Sequence, residues 1–439
     1  MKQSTKIQTP SSSPRFVVVL NDYCYVDGGA SRLAIGEAVL LAESGVRVIF
    51  LGAIGPVCPT LRDAPLEVIC LDQLELIDVA TNPSVALQGL WNLAAYRRTT
   101  KLLREMDPSQ TIVHLHSFCK ALSSSPVRAA NEMGFPVVCT LHDFFIACPN
   151  GAFFDYNERK PCLRRALSMD CITTNCDRRH YAHKLYRVAR SVVQSGPGKL
   201  PAGVTHYITQ SRRSKTTIAP YLPKGAQCHP LPPLIEVPHA PPVDVASNSA
   251  FVAVGRLDPG KGVEVLLQAA RRGKMRLTLI GDGDRQLRAE AEAVEGCRVT
   301  GWLTPQQVDD ELSHARCLVF PSLWYETYGL VVDEAAARGI PSVVSDISAA
   351  SERVEHGKTG WVARAGDVDD LMRCLHLTHH DDNLRAAGIA AYDHFWARHP
   401  TRADHAAGLM KAYDAILANR LSSGSSLMGG QSTWHDVKI

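Results

Sequence analysis

The sequence lacks the features of a membrane-spanning or nucleic-acid-binding protein. It contains no apolar run of about 18 residues or more, so it predicts no transmembrane helix. Charge of one sign is not in excess either: 47 Lys and Arg stand against 44 Asp and Glu, for a net charge of +3. That balance is too mild to predict nucleic acid as a partner. A hydrophobic content of 45% is instead ordinary for a globular protein.

A secretory signal is also missing from the start of the chain. Residues 1–14 are polar and rich in Ser, Thr and Gln, so we expect a disordered leader there and a flexible tail over 421–439. The 13 cysteines are odd in number and scattered, which does not indicate a disulfide framework. These features predict a cytoplasmic protein.

Short β-branched runs alternate with helical patterns along the whole chain. This alternation predicts parallel sheets covered by helices on both faces, and 439 residues suggest two such domains. The predicted strands are Phe16–Leu20, Val46–Leu51, Thr111–His116, Pro136–Leu141, Val204–Thr209, Ala250–Gly255, Arg276–Gly281, Arg298–Gly301, Cys317–Pro321 and Ser342–Ser345.

A proline-rich segment separates the two halves of the chain. Residues 229–249 include His229-Pro230-Leu231-Pro232-Pro233, which can form neither a helix nor a central strand. We therefore predict a linker there, between a first domain over 15–228 and a second domain over 250–400. Two doubly wound domains would face each other across a cleft at the carboxyl ends of their strands, where ligands bind in such folds.

The most informative motif runs from Glu326 to Glu334. A buried strand ends just before it, and a helix is predicted to begin near Gly329 or Leu330. Free N–H groups at such a helix start, together with the helix dipole, suit a diphosphate. Glu334 could accept the hydroxyls of a ribose, and Glu326 could reach a sugar. The alternative is a dipole-stabilised helix carboxylate with a solvated loop glutamate; for the pair in this setting we favour the functional interpretation.

A basic glycine loop follows the first strand of the second domain. In Gly255-Arg256-Leu257-Asp258-Pro259-Gly260-Lys261, the two cations could converge on a leaving diphosphate and stabilise its developing charge. A basic turn ahead of a helix is also a common structural feature. The motif is therefore only moderately specific by itself.

The first domain offers two further candidates at strand ends. Gly28-Gly29, between the first strand and the first helix, could pass beneath phosphates or simply form a turn, and the two interpretations weigh evenly. His142 follows the strand ending at Leu141 and could hydrogen-bond a donor sugar or phosphate. His116, at the end of the predicted strand Thr111–His116, is a weaker candidate for the same side of the cleft.

With these motifs in place, the chain resembles glycosyltransferase family 4, the retaining GT-B enzymes. The resemblance implies two Rossmann-like domains, an acceptor-binding one over 15–228 and a nucleotide-sugar-binding one over 250–400. It also implies a C-terminal helix over 401–420 that crosses back to the first domain. It implies that Arg256 and Lys261 hold the donor diphosphate, with Glu326 and His142 at the donor sugar. Gly28, Gly29, Gly255, Tyr328, Gly329, Leu330 and Glu334 would complete the donor site.

The resemblance implies a retaining, metal-independent hexosyl transfer with no cofactor. The donor would be a UDP- or GDP-sugar, and the acceptor a saccharide or a polyprenyl-diphosphate-linked saccharide in surface polysaccharide synthesis. Two alternatives stay open: a nucleotide-sugar epimerase of the same fold, and a catalytically silent sugar-nucleotide-binding subunit.

An insertion-like stretch over residues 144–190 is unusual. Its four cysteines, Cys148, Cys162, Cys171 and Cys176, could bind a structural zinc, but their spacing lacks close pairs, so buried thiols are favoured. The stretch is also basic and aromatic. A solvated helix face explains this pattern, and contact with an anionic membrane or a lipid diphosphate is the sharper alternative, which would place the protein at the inner face of the membrane.

Overall fold

The computed structural model describes residues 14–76 and 84–428. Residues 1–13 of the predicted leader and 429–439 of the predicted tail lie outside the described residues. The strands are β1 Phe16–Tyr23, β2 Arg47–Ile54, β3 Glu67–Cys70, β4 Thr111–Leu115, β5 Val137–Thr140, β6 Phe154–Asp155, β7 Lys160–Pro161, β8 His206–Thr209, β9 Gln227–Pro230, β10 Ala250–Val254, β11 Leu277–Ile280, β12 Cys297–Gly301, β13 Ala315–Phe320, β14 Ser342–Ser345 and β15 Gly360–Ala363.

Helices fill the connections between these strands. They are α1 Gly29–Glu43, α2 Pro59–Arg62, α3 Ser84–Leu90, α4 Leu93–Leu103, α5 Ser125–Glu132, α6 Met169–Thr173, α7 Tyr181–Ser195, α8 Arg212–Ile218, α9 Val263–Gly273, α10 Arg285–Glu292, α11 Pro305–Ser313, α12 Leu330–Ala336, α13 Val368–Leu377, α14 Asp381–Arg398 and α15 Arg402–Met428. No helix in residues 14–76 and 84–428 is long and apolar enough to cross a membrane.

Two parallel sheets form the cores of two domains, as the sequence predicts. The first sheet has the order β3-β2-β1-β4-β5-β8-β9, and the second has the order β12-β11-β10-β13-β14-β15. Their central strands are apolar runs buried on both faces, such as Val17–Leu20 in β1. Such continuous apolar runs are typical of strands in a parallel sheet that helices cover on both faces. Strand order reverses beside β1 and β10, so the loops that follow these strands open onto the crevice where ligands bind in this architecture.

The last helix confirms the predicted return to the first domain. Leu409, Tyr413, Ile416 and Leu417 of α15 are buried in one apolar cluster with residues of α1, β1 and β2. The helix continues to Met428, beyond the predicted end at residue 420. The fold is therefore the GT-B arrangement of two Rossmann-like domains with a crossing C-terminal helix.

Several local predictions need correction. Strand β9 adds Gln227–Pro230 to the edge of the first sheet, so the connection between domains begins at Leu231 and not at residue 229. Proline is tolerated in β9 because it is an edge strand. The chain between β3 and β4 contains two separate helices, α3 and α4, since the Asn92 side chain accepts the Ala95 N–H and caps the second.

Candidate active site

The loop after β10 places Lys261 beneath the loop after β13. Asp258 is buried, and its carboxylate accepts the N–H of Gly260 at 2.9 Å, which closes a tight turn. Gly262 then takes a left-handed conformation with φ of 73°, and a Cβ there would lie 2.0 Å from the Pro321 carbonyl oxygen. Only glycine allows this approach of the two loops.

Glu326 is held by three donors on one oxygen. Its Oε1 accepts from Lys261 Nζ at 2.6 Å, from Trp324 Nε1 at 2.6 Å and from Ser322 Oγ at 2.8 Å. The carboxylate is fixed in direction, while no hydrogen bond from the described residues engages its other oxygen, Oε2. Such an arrangement presents one acceptor atom to a ligand.

Burial alone would raise the pKa of Glu326, but the Lys261 ammonium and the three hydrogen bonds outweigh it, so the pKa is lowered. The ammonium of Lys261 lies over two aromatic rings, 5.3 Å from the Trp324 centroid and 5.6 Å from that of Phe320. The Lys261 side chain is therefore held against Glu326 by the ion pair and by both rings.

The segment Tyr328-Gly329-Leu330 lies at the start of α12, as predicted. Gly329 is the N-cap, in a left-handed conformation with φ of 93°. Arg353, which the sequence analysis did not identify, donates to the carbonyl oxygens of Tyr328 and Gly329 at 3.1 and 3.2 Å. Its guanidinium also stacks 3.7 Å from the Tyr328 ring centroid. This clamp fixes the backbone at the start of α12, where the first N–H groups have no partner within the helix.

Glu334 forms an ion pair across the domain boundary. Arg32 of α1 lies 2.8 Å from Glu334 Oε1, and the glutamate side chain is 16% exposed. Beside this pair, a Cβ on Gly29 would lie 3.3 Å from Leu330 Cδ1. Gly29 of the predicted glycine pair Gly28-Gly29 therefore faces the second domain, and Arg32 is a site residue that no sequence motif indicates.

His142 lies on the first-domain wall of the same cleft. Its carbonyl oxygen accepts the Thr327 hydroxyl at 2.9 Å, and the Thr327 carbonyl accepts Ser211 Oγ at 2.7 Å. The loop that carries Glu326 is thus bound directly to the first domain beside His142. His116 lies behind, with its Nδ1 2.9 Å from His142 Nε2. Burial lowers the pKa of His142 to about 4, so its ring is neutral.

Arg256 differs from the other predicted residues because it is exposed and forms no ion pair within the described part of the chain. It follows Gly255, whose carbonyl oxygen would lie 2.1 Å from a Cβ on Gly281. A glycine is therefore required at Gly281, in the Gly281-Asp282-Gly283 turn. Arg256 is the one predicted phosphate ligand whose charge is unpaired here, which leaves it available for an anion.

Comparison with known proteins assigns this arrangement to a family. The family model described as "Glycosyl transferases group 1" matches residues 248–381. The D-inositol 3-phosphate glycosyltransferase of Nocardia farcinica is 30% identical over 411 residues, which cover 89% of this chain and 85% of that protein. The chain belongs to the group 1 glycosyltransferases.

Two further similarities extend this result. The phosphatidyl-myo-inositol mannosyltransferase of Mycobacterium leprae is 32% identical over 181 residues, which cover 36% of this glycosyltransferase and 47% of that protein. The structure of HepE from Anabaena in complex with UDP and glucose superposes with a TM-score of 0.61 at 16% identity, over 93% of this chain and 100% of that one. The structural likeness supports the GT-B fold.

The insertion of this glycosyltransferase reaches the candidate site directly. The β6–β7 hairpin lies against Trp324, with ring centroids of Phe154 and Tyr156 at 6.2 and 6.4 Å from the indole. Because Trp324 donates to Glu326, the insertion supports the orientation of that carboxylate. Sequence periodicity could not have revealed this contact between residues so distant in the chain.

Two of the four cysteines of the insertion lie beside a buried lysine. Lys184 is fully buried, and its Nζ lies 3.2 Å from Cys176 Sγ and 3.5 Å from Cys171 Sγ. Cys148 is buried and Cys162 is partly buried. Within the described ranges, these sulfurs do not form a group of three that converges on one metal position. Zinc at the quartet therefore stays a prediction, and the cation in contact with two of these sulfurs is the lysine.

The basic residues of the insertion do not form a plain solvated face. Two of them pair with the second domain: Arg159 with Glu264 at 2.5 Å, and Arg178 with Asp258 at 2.9 Å. Arg187 pairs with the buried Asp177, and Arg190 donates to two backbone carbonyls. Several of the arginines that suggested a membrane contact are therefore paired within the protein. Two of these ion pairs join the two domains.

Proposed function

We propose that this enzyme transfers a hexosyl unit from a UDP- or GDP-sugar to a saccharide or lipid-linked saccharide acceptor, with retention at the anomeric carbon. The observation that carries the proposal is the fixed Glu326 carboxylate beside Lys261, with Oε2 open to a ligand. The HepE structures, which are complexes with UDP and glucose and with UDP-glucose, support the choice of donor class.

Each part of the donor has a matching group in this proposal. The diphosphate lies between Arg256, Lys261 and the N–H groups at the start of α12, which oppose its charge without a metal ion. Glu334 Oε2 accepts the ribose hydroxyls, since Oε1 is held by Arg32. Glu326 Oε2 accepts a hydroxyl of the sugar beyond the phosphates.

The reaction then needs stabilisation of the leaving diphosphate more than a protein base. As the bond between the sugar and the diphosphate breaks, negative charge grows on the phosphate oxygen between Arg256 and Lys261. The acceptor hydroxyl oxygen attacks the anomeric carbon from the face that the diphosphate leaves, and its proton passes to that phosphate oxygen. Attack on the same face gives retention. His142, neutral through burial, contacts the sugar as a hydrogen-bonding group.

The acceptor lies on the first-domain side of the cleft in this proposal. The relatives named for inositol phosphate, phosphatidylinositol and O-antigen chain substrates favour a saccharide or a lipid-linked saccharide in glycan synthesis. Contact with the inner face of a membrane is a proposal that would use the remaining exposed arginines of the insertion, such as Arg165 and Arg179.

Calorimetry against UDP-, GDP- and ADP-sugars tests the donor, and NMR of the product anomer tests retention. We expect one donor class to bind, Arg256→Ala to weaken binding, and Glu326→Gln to retain binding but lose turnover by about 100-fold or more. Arg271→Ala, on an exposed helix face of the same domain, is the matched control. Binding without any transfer would indicate a silent subunit, and an altered free nucleotide sugar would indicate an epimerase.

A further inference from the structure

A chain of buried polar groups runs from His142 into the first domain. His142 Nε2 faces His116 Nδ1 at 2.9 Å, and His116 Nε2 lies 3.7 Å from Glu37 Oε2. Glu37 Oε1 in turn contacts His405 Nε2 of α15 at 3.1 Å. The side chains of His116 and His405 are 0% exposed and that of Glu37 is 4% exposed. The chain thus connects the cleft to the crossing helix.

The carboxylate at the centre decides where each ring proton lies. A carboxylate only accepts hydrogen bonds, so a lone pair of His116 facing Glu37 would be repelled, and the proton of His116 belongs on Nε2. His116 Nδ1 then carries a lone pair, so His142 Nε2 must carry the proton at 2.9 Å from it. The remaining lone pair of His142 is on Nδ1.

Burial keeps the two rings in the neutral state that this argument requires. Burial and the neighbouring histidines lower the pKa of His116 well below its ordinary value, and burial lowers that of His142 to about 4. Each ring therefore has one proton at neutral pH. Without a bias from outside, either nitrogen could hold it.

We propose that Glu37, braced by His405, acts through His116 to fix His142 with its proton on Nε2. His142 then offers Nδ1 as an acceptor, so it can bind only a group that donates, such as a hydroxyl of the donor sugar. Gln210 Nε2 lies at 3.4 Å from this nitrogen, a weak contact that a hydroxyl can replace. The role toward the sugar rests on the proposed function; the tautomer does not.

A metal ion is the competing occupant of this cluster. Ligand atoms of Glu37, His114 and His116 lie within 4.8 Å of one another. However, both ring nitrogens of His114 already have partners, Tyr413 Oη at 2.8 Å and Thr140 Oγ1 at 2.7 Å. A metal would have to break one of these bonds. Glu37 Oε2 and His116 Nε2 face each other at 3.7 Å and lack hydrogen-bond partners, so the contact between them is electrostatic. The chain of buried polar groups is therefore favoured over a metal site.

NMR of the ¹⁵N-histidine-labelled, ligand-free enzyme tests the tautomer directly. We expect the proton of His142 on Nε2 in the wild-type protein. In Glu37→Gln, the amide oxygen stays with His405 and its NH₂ faces His116, so the protons of both rings move to the other nitrogens. Glu37→Leu removes the bias and gives a mixture. Glu43→Gln, at the exposed end of the same helix, is the matched control, and the separate His206–His229 pair should not change in any variant.

Kinetics then test the consequence for the donor. We expect Glu37→Gln to raise the KM for the donor about tenfold, the loss of roughly one hydrogen bond, with a smaller change in kcat. A proton on His142 Nδ1 in the wild-type enzyme, unchanged tautomers in both Glu37 variants, or a stoichiometric metal in the purified protein would each overturn the proposal. If the tautomers are as expected but no sugar is transferred, the proposed function fails while the tautomer assignment stands.

Discussion

The ammonium of Lys261 forms an ion pair with Glu326 in the structure, and it would bind the donor diphosphate in the proposed reaction. Lys261 Nζ lies 2.6 Å from Glu326 Oε1, where the loops after β10 and β13 meet. In the proposed reaction the same ammonium would oppose the negative charge of a donor diphosphate. A doubly charged diphosphate competes well for a cation whose side chain is still 25% exposed. Donor binding should then release Glu326 toward the sugar, so that one lysine couples the two halves of the donor site.

Replacing Lys261 with methionine tests this coupling. Without the ammonium, the burial of Glu326 dominates, so the pKa of that carboxyl rises. We expect the turnover to fall about 100-fold and the acid limb of the pH–rate profile to move to higher pH. Initial rates across pH measure both effects. Lys358→Met, in an exposed ion pair of the same domain, should leave the profile in place; an unshifted acid limb in Lys261→Met would refute the coupling.

The buried His114 predicts a pH dependence of stability. Burial lowers its pKa from 6.5 to about 3, so the unfolded chain binds a proton below pH 6.5 that the folded protein does not. The contribution of His114 to the free energy of unfolding is therefore fully present above pH 6.5 and is lost as the pH falls toward 3. From pH 7 to pH 5 this amounts to about 2 kcal/mol of unfolding free energy.

Urea unfolding of His114→Gln at these two pH values measures the effect. The variant should lose about 2 kcal/mol less than the wild-type protein when the pH falls. Asp143, whose pKa burial raises to about 6, acts in the opposite sense but is present in both proteins. His314→Gln, near the exposed end of α11, serves as the control. Equal losses in all three proteins would show that His114 does not titrate as described.

At the scale of elements, the sequence predicted most of what local rules govern. The start of α11 is an example, because Thr304 and Gln307 form a capping box with Pro305 at the first helical position. Strands β3, β6, β7, β9 and β15 are absent from the predicted strands, because short runs such as Glu67–Cys70 carry a signal too brief to separate from loops. The ion pair of Arg32 with Glu334 could not be predicted, since it joins residues 302 positions apart that no periodicity relates.

The loop that carries Lys261 offers a sharp test at this scale. In Gly262→Ala, the Cβ would lie 2.0 Å from the Pro321 carbonyl oxygen and the residue would also have to adopt a left-handed φ. We expect a loss of about 3 kcal/mol in the free energy of unfolding. Gly225→Ala is the matched control, because φ is +82° there with open space around the Cβ. It should lose only about 1 kcal/mol.

Urea denaturation of the two variants separates the contributions. If both variants lose the same amount, the backbone conformation alone accounts for the effect and the close approach to Pro321 contributes nothing. If Gly262→Ala is more destabilised, as expected, the two loops need glycine to bring Lys261 to Glu326, and turnover should fall in the same variant.

At the scale of the molecule, ion pairs between the two domains bridge the cleft at several points. Arg32 pairs with Glu334, Arg178 with Asp258 and Asp284, and Arg159 with Glu264. Each pair is partly exposed, so each contributes little to stability alone. Their common effect is on the angle between the domains, and the insertion supplies two of the three arginines. The stretch that the sequence analysis could interpret only as a basic surface therefore also helps to close the donor site.

Removing Arg178 should open the cleft, because its guanidinium reaches both Asp258 at 2.9 Å and Asp284 at 3.2 Å in the opposite domain. We expect Arg178→Ala to have a larger radius of gyration by small-angle X-ray scattering in the absence of ligand and a raised KM for the donor. Saturating nucleotide-sugar donor should restore the compact form, because in the proposed function its diphosphate contacts the second domain and its sugar contacts His142 of the first domain. Arg272→Ala, which breaks a 2.6 Å ion pair with Asp369 inside the second domain, is the matched control and should scatter like the wild-type protein. An Arg178→Ala protein that is as compact as this control, with an unchanged KM, would show that the insertion does not hold the domains together.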